Sequence, residues 1–192
     1  MSGAGADILR LYEETGGLKR GHFQLTSGLH ADRYLQSALV LQHPEHAARI
    51  GALIAEPFRT AGVQVVVGPA VGGIVLAHVV GRALGARAIY AERKEGRLVF
   101  YRGFEIARGE RALVVEDVVT TGGSVRETIG LVEASGGEVV GVGAIVERSG
   151  GGARFAVPYH PLAVVEIPTF ARERCPLCAR GEPVVVPGSR GL

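Results

Sequence analysis

Apolar positions along the chain follow two rhythms that alternate. Ile8, Leu9, Leu11 and Tyr12 crowd one helical face between Ala6 and Glu14, and Gly16-Gly17 ends that helix. From Phe23 to Leu41 the pattern reads as extended segments joined around Ser27-Gly28, with Ser37–Leu41 as the strand best supported by its apolar run. Pro44 opens a second helix, carried by Ala47, Ile50, Leu53, Ile54 and Phe58 and stopped by Gly62. Beyond it, short β-branched runs take turns with helical stretches. Strands are expected at 63–67, 88–91, 111–115 and 139–146, helices at 72–84 and 124–134, and a last apolar run at 162–167. Between Arg93 and Gly103 lies a charged connection that holds its own extended piece, Leu98–Tyr101.

Strands written as unbroken hydrophobic runs between helices predict a parallel sheet covered on both faces. Right-handed crossovers then make an α/β doubly wound fold. Ligands of such sheets bind beyond the carboxyl ends of the strands, which directs attention to the residues after Val67, Ala91, Val115 and Val146. Residues 60–81 carry no formal charge, but Gln64, Pro69, His78 and several glycines favour a buried strand, turn and helix over a membrane span.

Composition narrows the picture further. The chain has 192 residues, 47% hydrophobic and 21% charged, which fits one well-cored domain and excludes disorder. Twenty-one basic against 19 acidic residues, interspersed, give +2 and no basic run, so no nucleic-acid grip is expected. Two cysteines cannot build a disulfide framework and no charged-then-apolar leader is visible, which points to the cytoplasm. Lys19 and Lys94 are the only lysines among the 21 basic residues, which singles Lys94 out for its place in the charged connection.

The strongest candidate site follows Val115. Glu116 and Asp117 are expected to end a strand, and Val118, Val119, Thr120, Thr121, Gly122, Gly123 and Ser124 lead into a helix. Glycines let backbone N–H groups converge, the helix start favours an anion, and three hydroxyls add donors. A phosphate cradle beside two carboxylates that accept from sugar hydroxyls describes a ribose 5-phosphate site. A helix cap and a turn alone would explain Gly-Gly-Ser, but not the two acids followed by Thr-Thr.

The stretch Val114–Val125 closely resembles the phosphoribosyl pyrophosphate (PRPP) signature of type I phosphoribosyltransferases. Phe23–Gly28, Glu92-Arg-Lys-Glu95, Arg148, the tail Cys175-Pro-Leu-Cys178 with Gly181 and Pro183, and Pro187-Gly-Ser-Arg190 extend the likeness to the orotate phosphoribosyltransferase family. The resemblance implies transfer of 5-phosphoribose from PRPP to orotate. It implies one domain, with a core over about 44–168 and a hood from about 1–43 and 169–192. Residues 116–124 would bind PRPP together with Arg93 and Lys94, and the turn Ala70, Val71, Gly72, Gly73 would wrap the pyrophosphate. Thr120 and Arg148 would hold orotate, Arg148 through a bidentate pair with its carboxylate. Arg93, Lys94, Arg97 and Arg102 would act in catalysis, on a loop that reaches the neighbouring active site of a homodimer. Mg2+ is implied, held mainly by PRPP and water rather than by protein ligands. The family often has lysine where Thr26 stands, Tyr-Lys where Val71-Gly72 stand, and a histidine where Val99 and Phe100 stand.

His22, His30, His43, His46, His78 and His160 show no metal-ligand spacing, and core or surface roles are expected for them. Cys175-Pro-Leu-Cys178 supplies two of the four ligands that a tetrahedral metal needs, so a structural turn is expected there. Two other functions fit parts of the pattern. A phosphoribosyltransferase for a purine base would lack the reason for Arg148 and the tail, and a PRPP-sensing regulator would need a nucleic-acid-binding face.

Overall fold

The computed structural model describes residues 3–187. Six strands form the central sheet: β3 (Val65–Pro69), β4 (Arg87–Lys94), β5 (Arg97–Phe100), β6 (Arg111–Val119), β7 (Glu138–Glu147) and β8 (Tyr159–Val164). Their order is β5-β4-β3-β6-β7-β8, and every pairing is parallel except the β4–β5 hairpin at one edge. The doubly wound α/β sheet expected from the apolar runs is present.

Strand alternation distributes the core between the two faces. Val66, Leu113, Val115 and Ile145 pack with Ile50, Ile54, Leu76 and Val80 of α3 (Pro44–Ala55) and α4 (Gly72–Leu84). Val65, Val67, Val114 and Val142 face the other way, toward Val125 and Val132 of α5 (Gly123–Ala134). Helix α3 stops where Pro57 imposes a 3-10 turn over Glu56–Phe58, and α4 ends at Gly85 in the left-handed conformation.

A smaller three-stranded sheet joins the two ends of the chain. Helix α1 (Gly3–Glu14) precedes the antiparallel hairpin of β1 (Leu18–Gln24) and β2 (His30–Leu35), and β2 also pairs with β9 (Thr169–Phe170). The short helix α6 (Pro176–Ala179) follows, and Val185 returns to bridge Phe23. Of the tail motif at 187–190, residues 188–190 lie outside the described residues.

Two expectations are corrected. Ser37–Leu41 is a helix, α2, not a strand. Its buried positions are Ser37, Val40 and Leu41, a helical spacing, and the Ser37 hydroxyl is 2.7 Å from that of Tyr12. A five-residue apolar run carries too little periodicity to separate the two states. The strand expected to stop at Val115 runs on to Val119, because β7 continues apolar through Val146 and extends the ladder. Glu116 and Asp117 therefore lie inside β6, and Thr120 is the first residue beyond it.

Candidate active site

Two strand-to-helix turns meet at the carboxyl end of the sheet. The turn from β6 into α5 needs Gly122: its φ is 79°, and a Cβ there would sit 2.8 Å from the Phe155 ring. Thr120, Thr121 and Ser124 are exposed around it. Arg126, one turn into α5, lies over the Phe155 ring and donates to the carbonyls of Thr121 (2.6 Å) and Arg154 (3.0 Å). It ties the phosphate-type turn to the loop opposite. No sequence motif marks Arg126, since a helix-surface arginine is ordinary.

The second turn, 70–73, joins β3 to α4. Ala70 N–H donates to the Ala91 carbonyl (2.7 Å), and the Ala70–Val71 peptide is cis. A Cβ on Gly72 would come within 2.6 Å of an Asp117 carboxylate oxygen, so Asp117 of β6 lies directly against this turn. Gly73 is buried, whereas Val71 is 79% exposed. Glu116 is only 8% exposed, and Asp117 N–H donates to its carboxylate (3.2 Å). Burial first, and then the adjacent Asp117 charge, push the Glu116 carboxyl well above the usual carboxylate range.

Beside these turns opens a cleft of about 740 Å³, lined by Val118, Thr120, Thr121 and Arg148 from the core and by Thr26 and Tyr34 from the hairpin above. Arg148 follows β7, and its N–H donates to the Val119 carbonyl (2.9 Å). The buried Glu147 carboxylate accepts from the Ser149 hydroxyl (2.6 Å) and Ala153 N–H (3.1 Å), stapling the loop that carries Arg148. Among the described residues Arg148 makes no ion pair. Burial lowers the pKa of its half-buried guanidinium, and the Tyr34 phenol opposes that shift. Tyr34 is itself pushed up by burial and by Asp117, with Arg148 acting the other way. This tyrosine escaped sequence reasoning because only the fold of β2 over the sheet brings it to the cleft.

The four cations of 93–103 stand apart from the cleft within one chain. The expected loop is a tight hairpin, β4 turning into β5 through Glu95-Gly96. Arg93 forks onto the Glu127 carboxylate of α5 (2.7 and 3.2 Å), and Arg102 onto Glu92 (2.7 and 3.2 Å). These arginines hold the Glu127 and Glu92 carboxyls below their ordinary range. The Lys94 ammonium lies 2.9 Å above the centroid of the exposed Tyr101 ring. With Arg97 it lines an open groove of about 560 Å³ at the hairpin tip. Val99 and Phe100 pair with Glu92 and Ala91 as strand.

So the structure gathers Glu116, Asp117, Thr120, Thr121, Arg148 and the turn 70–73 at one end of the sheet, and sets the hairpin cations aside. Residues 37–170 match the phosphoribosyl transferase domain family. The chain is 50% identical over 185 residues to the orotate phosphoribosyltransferase of Caldanaerobacter subterraneus subsp. tengcongensis, covering 96% of this chain and 97% of that one. It is 51% identical over 180 residues to the orotate phosphoribosyltransferase of Thermus thermophilus, covering 93% and 98%. The crystal structure of the Mycobacterium tuberculosis H37Rv orotate phosphoribosyltransferase with inorganic phosphate superposes with a TM-score of 0.66 at 29% identity, over 84% of this chain and 97% of that one. With its acid pair, two glycine turns and cleft arginine set on this sheet, the chain belongs to the orotate phosphoribosyltransferase family.

Proposed function

We infer that this chain transfers the 5-phosphoribosyl group of PRPP to N1 of orotate, releasing pyrophosphate and forming orotidine 5′-monophosphate in pyrimidine nucleotide synthesis. The observation that carries the reading is Arg148: a half-buried guanidinium without an ion pair among the described residues, lining the same cleft as the threonines of a phosphate-type turn. Such a group favours a planar carboxylate, which orotate has and the purine bases lack.

In this reading the 120–124 turn and the start of α5 receive the 5-phosphate, and Glu116 and Asp117 accept from the ribose hydroxyls. The turn 70–73 lies against pyrophosphate, and Thr120 and Arg148 orient orotate. The C1–O bond to pyrophosphate breaks with its electron pair leaving on oxygen. N1 of deprotonated orotate supplies the pair for the new N1–C1 bond, its proton having passed to solvent. The donors at this place, two carboxylates and three hydroxyls with Asp117 turned to 70–73, are hard oxygens that suit Mg2+. Asp117 and the hydroxyls of the 120–124 turn would hold it mainly through PRPP and water, and when bound it would supply charge neutralisation for the departing pyrophosphate.

Arg93, Lys94, Arg97 and Arg102 act, in this reading, on the site of the neighbouring subunit of a homodimer. Their distance from the cleft within one chain fits that arrangement. No helix among the described residues is long and apolar enough to cross a membrane, and in this reading the protein works in the cytoplasm, with which its two free cysteines accord. The domain division follows the same reading: one domain, its core at about 44–168 and its hood at about 1–43 and 169–192. An assay with PRPP, Mg2+ and one base at a time decides the function. Orotidine 5′-monophosphate should form from orotate and no nucleotide from adenine, hypoxanthine or xanthine. Turnover of a purine in place of orotate would reject the assignment.

A further inference from the structure

Four side chains that the phosphoribosyl chemistry leaves unused converge in the small sheet. His22 of β1, His30 of β2, and Cys175 and Cys178 at α6 each present a ligand atom, all within 4.8 Å of one another. Both cysteines are free thiols, and His22, His30 and Cys175 are 4%, 3% and 2% exposed. The sulfurs of Cys175 and Cys178 each lie 3.6 Å from His22 Nε2, and that of Cys178 lies 3.4 Å from His30 Nδ1. A tetrahedral zinc ion, with Zn–S near ~2.3 Å and Zn–N near ~2.0 Å, has S···N edges of roughly 3.5 Å. The observed spacings already have that size. The two imidazole nitrogens, 2.6 Å apart, need only spread by less than about 1 Å to reach the corresponding N···N edge.

The tautomer supports the same reading. His22 Nδ1 is 2.8 Å from the Glu182 carbonyl, which can only accept, so Nδ1 carries the proton and Nε2 turns its lone pair to the cluster. That outer hydrogen bond is the arrangement which orients metal-bound imidazoles. Two sulfurs and two nitrogens select a borderline-soft ion over Mg2+, and four ligands leave no open position for catalysis.

We propose that His22, His30, Cys175 and Cys178 form a structural Zn2+ site that fastens the C-terminal tail to the N-terminal hairpin. The fastening matters because both tied segments roof the cleft: Thr26 and Leu29 follow β1, and Thr169 and Pro187 belong to the tail. Zinc at this place holds the roof over the base end of the cleft and leaves the phosphate end to the rigid sheet. The proposal stands whichever base the enzyme uses.

The test uses the full-length chain, purified without chelator. Elemental analysis should give one zinc per chain. After zinc is removed with a chelator, titration with cobalt(II) chloride should produce the intense visible bands of tetrahedral cobalt together with thiolate-to-cobalt charge transfer. Cys178→Ser, at a half-buried position, should lower zinc affinity at least tenfold and remove the charge-transfer band in part. Where that variant does not fold, thiol reactivity of the wild-type chain decides: both thiols should react slowly with zinc bound and fast once chelator is added. A zinc-free chain with a Cys175–Cys178 disulfide overturns the proposal. So do zinc retained unchanged in Cys178→Ser and thiol rates indifferent to chelator.

Discussion

Replacing Arg148 tests the reading of the cleft most directly. Its guanidinium is half-buried, unpaired among the described residues and held on a loop that the buried Glu147 staples, so it carries a desolvation cost that Tyr34 offsets in part and a bound anion would offset further. A charge-assisted pair of this kind is worth ~1.5–3 kcal/mol. At about 1.4 kcal/mol per decade, Arg148→Ala should therefore lower kcat/KM for orotate by about 10- to 150-fold. Arg148→Lys keeps the charge and loses the fork, so its loss should fall between wild type and Ala. Steady-state kinetics with each substrate varied, plus calorimetric titration of PRPP, measures both ends of the cleft, and PRPP affinity should move less than twofold. Stability supplies the control. Burial lowers the Arg148 pKa on folding, so charge on this group disfavours the folded state, and Arg148→Ala should melt no lower than wild type. Equal losses for orotate and PRPP, or a fall of several degrees in Tm, would refute the assignment of Arg148 to the base.

Lys94→Ala should lower kcat far more than PRPP affinity, because its charge counts as pyrophosphate departs, and an unchanged kcat removes Lys94 from the reaction. If the hairpin serves the neighbouring site, mixing Lys94→Ala with Arg148→Ala subunits should restore about a quarter of wild-type activity after random reassortment. No recovery places Lys94 in its own chain's site. Glu116→Gln should raise Tm at neutral pH. The Glu116 pKa is raised on folding, so its stabilisation is present in acid, below its unfolded value, and is lost as pH rises through the folded value. The gain over wild type should vanish in acid, and PRPP binding should weaken. A gain that persists in acid contradicts burial of the carboxylate charge as its cause. Gly72→Ala must displace the Asp117 carboxylate, which its Cβ would approach to 2.6 Å, and should weaken PRPP binding with Tm nearly unchanged. Unaltered PRPP affinity in that variant dissociates Asp117 from the sugar.

Local signals carried most of the core. Gly72–Leu84 reads as a helix from its apolar spacing and ends at Gly85, as the structure shows, and the glycine-hydroxyl turn after β6 is legible because its chemistry is contiguous. What escaped depends on distant pairing. Ser37–Leu41 coils because Tyr12 and its own neighbours bury one side of it, and β6 runs past Glu116 because β7 supplies a ladder there. Tyr34 joins the cleft only once β2 folds over the sheet, and Cys175 meets His22 across a separation of 153 residues. Spacing rules for metal ligands assume a local motif, so a site assembled from one hairpin and one tail gives no periodic trace.

These long-range pairings have a consequence for where specificity resides. The phosphate end of the site is built on β3, β6 and the starts of α4 and α5, whose packing the two hydrophobic clusters make rigid. The base end is roofed by segments that β2–β9 pairing, the Phe23–Val185 bridge and the His–Cys cluster tie to one another. Roof and floor are therefore fastened by different interactions. Loosening the roof should raise the KM for orotate while the affinity for PRPP holds, and loosening the floor should do the reverse. Departures such as Thr26 and Gly72 fall on opposite sides of that division: Thr26 in the roof above the base, Gly72 against Asp117 in the floor. A lysine placed at Thr26 should then act on orotate binding and leave PRPP affinity unchanged, and an effect confined to PRPP would mean that the roof reaches the phosphates as well.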